Sequence, residues 1–281
     1  MRYWIRATTM AIVCVMQAVM VQANSTLITN PIIAQAIRES LGKSEGKFTR
    51  ADLAKVTNLD LTFTRITDAD LKEIAKLPQL KKLYLNGTQI TNVGLKELVK
   101  LQQLTLLNLW RTQVTDAGLK ELAKLPQLRS LDLSRNTITD ANLKDLARLQ
   151  QLTHLWLNNS QVKDAGIREI AKLRQLTHLG LVGTEITDAG LKEVAKLQQL
   201  TSLGLSWTEI TDAGLKKIIK LPQLKVLSLT DTKITDAGLK ELAKLQNLTE
   251  LYLHRTRITA DVITEFQQTR PKCKIYSRFT E

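Results

Sequence analysis

The side chains able to do chemistry are few in this chain, and they recur at offsets of 24 residues. Ser130, His154 and His178 are spaced in this way, and so are Asp132, Trp156, Gly180 and Gly204. By type alone, Ser130, Asp132 and His154 could form an acyl-transfer relay, and His154 with His178 could begin a metal site. Each chemistry asks for more. A relay needs an oxyanion hole, and neither a helix start nor a glycine turn lies close to these three residues. A stable zinc site needs three or four ligands, yet the nearest carboxylate, Asp132, falls one spacing earlier and two positions along from the histidine column. Cys273 lies between Lys272 and Lys274, which would lower a thiol pKa, but its place in a closing strand implies cover. No nucleotide loop or zinc-finger spacing is present. The expectation is a protein that is not an enzyme, with no catalytic residue, metal or cofactor.

The spacing itself comes from a repeat that runs without a gap from about Leu53 to Gln268, and its clearest copy is Leu101–Lys124. In that copy Leu104, Leu107 and Leu109 carry the alternation of a strand with one buried face, while Leu119, Leu122 and Ala123 have helical spacing. Thr115 and Asp116 between them supply an N-cap oxygen and a negative charge at the positive end of the helix. Each unit is therefore one strand, one turn and one short helix. Seven aliphatic side chains per unit cannot offset the entropy of ordering the whole unit alone, so units must stack. Stacked strands align in parallel about 4.8 Å apart, and right-handed crossovers place the helices on the outer side.

The motif L-x-x-L-x-L-x-x-[N/T]-x-I, carried by nine units, resembles that of the leucine-rich repeat proteins. The resemblance implies an α/β fold, a right-handed leucine-rich repeat solenoid or horseshoe with a parallel concave sheet and short helices on the convex side. Where the family often has Asn, this chain has Thr64, Thr88, Thr112, Thr184, Thr208, Thr232 and Thr256, with Asn136 and Ser160 as exceptions. Those hydroxyls are expected to bond the adjacent turn, with fewer bonds per rung than Asn gives. The tail T-D-A-G-L-K-E-L-A-K is similar to that of exported bacterial members with repeats of this length.

Four segments follow: a signal peptide at 1–23, a helical N-terminal cap at 24–55, the repeats at 56–268, and a C-terminal cap strand and tail at 269–281. The leader reading rests on Arg2 and Arg6 before the apolar stretch Ala11–Val21 and on small residues at a cleavage point. Within the cap, Asn30-Pro31 reads as a helix start and Gly42 as its stop. The expected location is secreted or periplasmic, as a monomer with no membrane span once the leader is removed.

The repeat also works as a ruler for faces. Beyond the leader, Trp110, Trp156, Trp207, Tyr84, Tyr252, Tyr276, His154, His178 and His254 all fall on outward strand positions or on the turn just after them, and none on a helix. Aromatic residues anchor binding surfaces because they bury large area with few rotatable bonds. Gly180 and Gly204 beside Trp156, with Trp207 at the neighbouring turn and His178 and Ser202 one column away, are expected to leave a depression about 10 Å across. The predicted ligand face therefore comprises Tyr84, Trp110, Asp132, His154, Trp156, His178, Gly180, Ser202, Gly204, Trp207, Tyr252 and His254. Its expected partner is a protein, peptide or glycan.

The net charge is +13, or +11 without Arg2 and Arg6. Most of the excess sits on the helices as a repeated Lys-Glu-x-x-Lys pattern, such as Lys120, Glu121 and Lys124, whose regular dispersion reads as a solvated face. Adhesion of that convex face to an anionic cell-envelope polymer is the alternative function. Nucleic acid is not expected, since single-strand binders interleave aromatic and basic residues and here they lie on opposite faces. A third reading, substrate recognition for a ubiquitin ligase as in some intracellular relatives, is disfavoured by the leader.

Overall fold

The computed structural model describes residues 27–279; the signal peptide expected at 1–23 lies outside them. Ten strands form one sheet in sequence order, each parallel to the next. They are β1 Asn58–Asp60, β2 Lys82–Tyr84, β3 Leu106–Asn108, β4 Ser130–Asp132, β5 His154–Trp156, β6 His178–Gly180, β7 Ser202–Gly204, β8 Val226–Ser228, β9 Glu250–Tyr252 and β10 Lys274–Tyr276. Every pair is offset by one repeat, as in Leu107 opposite Leu131 and Leu131 opposite Leu155. A slip of one residue would turn these leucines out of the core, so the hydrophobic pattern fixes the register. Short helices such as Asp164–Ile170, Asp188–Val194 and Asp212–Ile218 alternate with the strands and pack on one another along the opposite face. This is the expected leucine-rich repeat solenoid.

The core is one continuous stripe of aliphatic residues. In the unit Leu101–Lys124, Leu101, Leu104, Leu107, Leu109, Val114, Leu119 and Leu122 are all at most 1% exposed. At roughly 1.5–3 kcal/mol for each buried side chain, most of the stability resides here. At the start of the array, Pro31–Leu41 is a helix capped by the Asn30 side chain and closed by Gly42 at φ 63°, a left-handed corner that favours glycine. It buries Ile33, Ala36 and Ile37. At the far end, Ile275 of β10 sits opposite Leu251 and closes the stripe.

Two local expectations are corrected. First, the threonine hydroxyls bond their own turn: Thr184 donates to the Leu181 carbonyl at 2.6 Å and Thr208 to that of Leu205 at 2.6 Å. A hydroxyl has one proton and a short reach, so it satisfies the carbonyl three residues back. Among the nine side chains at this position, Asn136 is the one that reaches a backbone carbonyl of the neighbouring unit. Its amide donates to Leu109 at 2.7 Å and Leu133 at 3.1 Å, and its oxygen accepts from Thr112 Oγ1 and Val114 N.

Second, the aspartate of Thr-Asp-Ala-Gly keeps its place in the first turn of its own helix, but its hydrogen bonds go to the next unit. Thr187, Thr211 and Thr235 cap their helices by side chain, as expected, whereas Thr115 does not. The Asp188 carboxylate instead turns to the following unit, accepting from Thr211 N at 2.9 Å and Thr211 Oγ1 at 2.6 Å. Asp68, Asp116, Asp164 and Asp212 do the same to Thr91, Thr139, Thr187 and Thr235. This clamp explains the glycine after it, because a Cβ at Gly214 would stand 2.2 Å from Asp188 Oδ1. Where Asn142 replaces that glycine, its backbone leaves helical geometry (φ −122°, ψ 14°) and the helix shrinks to Leu143–Leu146.

Candidate binding site on the concave face

Strand register lays the outward side chains out in columns. The central column runs Tyr84, Asn108, Asp132, Trp156, Gly180, Gly204, Ser228, Tyr252, Tyr276, and the column beside it carries Ser130, His154, His178 and Ser202. The strand alternation that buries Leu131, Leu155 and Leu179 is what aims these side chains outward.

The depression expected over the glycines is not where the sequence placed it. A Cβ at Gly180 would lie 2.8 Å from Trp156 Cδ1 and 2.7 Å from Asn158 Oδ1, so the indole and the amide already fill that space. Gly204 is less crowded, with Val182 Cγ2 at 3.2 Å from the same virtual atom. The hollow lies on the other side of Trp156: a shallow space of about 270 Å³ lined by Tyr84, Leu106, Leu107, Asn108, Ser130, Asp132 and Trp156. Leu106 and Asn108 were missed in the sequence, although Asn108 shares the central column and Leu106 is an apolar residue at an outward strand position.

Asp132 is the only carboxylate lining this hollow. It accepts a hydrogen bond from Ser134 N at 2.9 Å, and burial raises its pKa while the Ser134 bonds oppose the rise. Among the described residues no hydrogen bond links Ser130, Asp132 and His154, so the three do not form a relay. His154 and His178 are stacked, with ring centroids 4.2 Å apart and planes 12° from parallel. Each Nδ1 lies 2.8–2.9 Å from the Oγ1 of the preceding threonine. Thr153 gives its proton to the Arg129 carbonyl and Thr177 to that of Thr153. Burial lowers both pKa values, and for His178 the charge of His154 adds to the effect. Among the described residues no group of three or more His, Cys, Asp or Glu is placed to hold a metal.

The remaining predicted residues divide between strand and rim. Tyr252 stacks on Tyr276 at 4.5 Å and donates to Glu250 Oε2 at 2.9 Å, which raises its pKa. Trp110 and His254 stand past the strand, at the turn. Trp110 packs edge-on against Phe63 at 6.0 Å, with the guanidinium carbons of Arg111 and Arg135 at 6.0 and 5.7 Å. Trp207 is one position further, at a left-handed corner (φ 56°), and 53% exposed. It makes no ring contact with Trp156 among the described residues, so it does not wall a common pocket with it. Phe63 occupies the corresponding corner in the first unit, lies across Gly87, and was missed, although it shares the repeat offset of Trp207. Cys273 is buried, and desolvation pushes its thiol up to about 11 in spite of the flanking lysines. On the convex face Lys-Glu-x-x-Lys motifs close ion pairs, as in Glu121 with Lys124 at 2.7 Å and Glu193 with Lys196 at 2.6 Å, whereas Glu73 turns to Thr29 and Asn30 of the N-terminal cap.

A profile described as leucine-rich repeat region matches residues 116–269, and one described as leucine rich repeat matches residues 54–114. The chain belongs to the leucine-rich repeat family. This leucine-rich repeat protein is similar in structure to internalin C2 of Listeria monocytogenes, with a TM-score of 0.66 and 29% identity over 81% of this chain and 94% of that one. The fold is shared with a second internalin of that organism, InlF, at a TM-score of 0.56 and 20% identity over 91% and 96% of the two chains. Among curated proteins no significant match is found. Leucine-rich repeat proteins generally bind protein partners and are typically non-enzymatic. No helix among the described residues is long and apolar enough to cross a membrane.

Proposed function

We propose that this leucine-rich repeat protein is an exported, non-enzymatic binding protein, secreted or periplasmic, that takes up an extended peptide segment of a protein partner on its concave face. The observation that carries the reading is the hollow between Tyr84 and Trp156, on the central column of the face that also collects the stacked histidines and the Tyr252–Tyr276 pair. A shallow, partly apolar trough with a few aimed polar groups fits a chain of alternating side chains better than a rigid small molecule. The leader at 1–23 supports export. Ion pairs within several convex helices, such as Glu121–Lys124, Glu193–Lys196 and Glu241–Lys244, argue against a bare basic surface for envelope polymers.

The test is selection of a random linear peptide library on the protein, followed by affinity measurement of enriched peptides on three variants. Trp156→Ala should weaken them about tenfold or more, as loss of an aromatic anchor does. Lys120→Glu, on the convex face, should leave them unchanged. Peptides that bind Trp156→Ala as tightly as the parent protein, or that are lost with Lys120→Glu, would move binding off this face. A Tyr252→Ala variant then measures how far along the sheet the peptide runs.

A further inference from the structure

The hollow has a chemical character of its own. Its polar lining consists of the Asp132 carboxylate, the Asn108 amide and the Ser130 hydroxyl, its floor is Leu106 with Leu107, and its two ends are the rings of Tyr84 and Trp156. Asp132 is in no ion pair of the described residues, and the protein bonds it receives come from Ser134. In a chain with thirteen more basic than acidic residues, a part-buried carboxylate left without a cation, between two aromatic faces, is the unusual element. A cation brought to it would stabilise its charged form beyond what the Ser134 bonds provide. Next to it, the ring of His154 stands 5.7 Å from that of Trp156, so the aromatic surface continues beyond the hollow.

We infer that this hollow is a specificity pocket for one lysine or arginine side chain of the bound peptide. The aliphatic stem lies over Leu106, the cationic head pairs with Asp132, and the indole of Trp156 or the ring of Tyr84 supplies cation–π contact. Both cations bring only donors, which matches the acceptor-only carboxylate of Asp132. The space, about 270 Å³, is below the range of drug-sized ligand sites and suits a single side chain. Lys82 and Arg129 flank the column at exposed and solvated positions, which disfavours a cation resting loosely on the surface and rewards one that reaches Asp132.

This inference rests on the peptide-binding reading above, and the experiment separates the two. A random peptide library is selected in parallel on the parent protein and on Asp132→Asn, a substitution that keeps an oxygen for the Ser134 bond and so keeps the fold. The expected result is a lysine or arginine enriched at one position on the parent protein and not on the variant. An individual peptide should lose about tenfold or more in affinity on Asp132→Asn, the size of a charge-assisted hydrogen bond. It should lose a similar factor when its lysine is replaced by norleucine or its arginine by citrulline. Peptides that need Trp156 but show no basic anchor, or that bind Asp132→Asn unchanged, overturn the cation pocket and leave the peptide groove standing. Failure of every peptide to depend on Trp156 overturns both, as does Trp156-dependent binding of a neutral glycan in place of peptide.

Discussion

The clamp between repeats makes a prediction in which two familiar effects have opposite signs. Gly214 is the third residue of the helix Asp212–Ile218 and has no left-handed φ, so on intrinsic propensity Gly214→Ala should stabilise the protein by about 1 kcal/mol. The new Cβ, however, would stand 2.2 Å from Asp188 Oδ1 and 3.0 Å from Leu191 Cδ1. Relief requires Asp188 to swing away from Thr211, which gives up a charge-assisted bond to Thr211 N and another to Thr211 Oγ1. The first alone is worth about 1.5–3 kcal/mol. The clash therefore wins, and Gly214→Ala should cost on the order of 1–3 kcal/mol net. For a domain of this size each kcal/mol moves the melting temperature by about 2–4 °C. Thermal and urea unfolding followed by far-ultraviolet circular dichroism measures the loss. The decisive arm is the background Asp188→Ala, where the main obstacle is gone and Gly214→Ala should become neutral or stabilising. A stabilising Gly214→Ala in the parent chain, or an unchanged cost in the Asp188→Ala background, would refute the clamp. Asn142 is the natural counterpart: Asp116 still bonds Thr139 there, and the cost appears as lost helix between Asp140 and Asn142.

Three further outcomes are expected. Asn136→Ala should destabilise by about 1–3 kcal/mol for each buried partner left unpaired, among them Leu133 O and Val114 N, and by more than Thr208→Val, which abandons one carbonyl; urea midpoints compare them. The folded state holds His154 and His178 below their usual pKa, so the unfolded chain binds protons first as pH falls through about 6.5. Stability should thus decline below that pH until the folded pKa values are passed, and the decline should be smaller in His154→Gln/His178→Gln; equal slopes in the two proteins would contradict the stacked neutral pair. Cys273, with its thiol near 11 and its side chain buried, should stay unlabelled by iodoacetamide at pH 8 in folded protein and label fully in urea, read by mass spectrometry of its peptide.

The places where sequence reasoning stopped share a cause. Thr-Asp ahead of a helical pattern is also what an ordinary N-cap looks like, so nothing in one unit shows that the carboxylate serves the next. The two missing side chains at Gly180 and Gly204 read as an opening, but Trp156 and Asn158 lean across Gly180 and the opening lies toward Tyr84 instead. Trp207 lies at the turn, as its offset implies, and the left-handed corner there leaves it exposed at the rim.

By itself, the sequence determined the solenoid, the pairing of each strand with the next, and the face on which each side chain emerges. A strict period leaves the backbone one way to bury seven aliphatic residues per unit, and column membership then follows from counting. Tertiary structure decided which way each emerging side chain turns. Rotamers are chosen by neighbours a whole repeat away in the chain, and in this fold that choice made a hollow out of Tyr84, Asp132 and Trp156 and closed the one over Gly180.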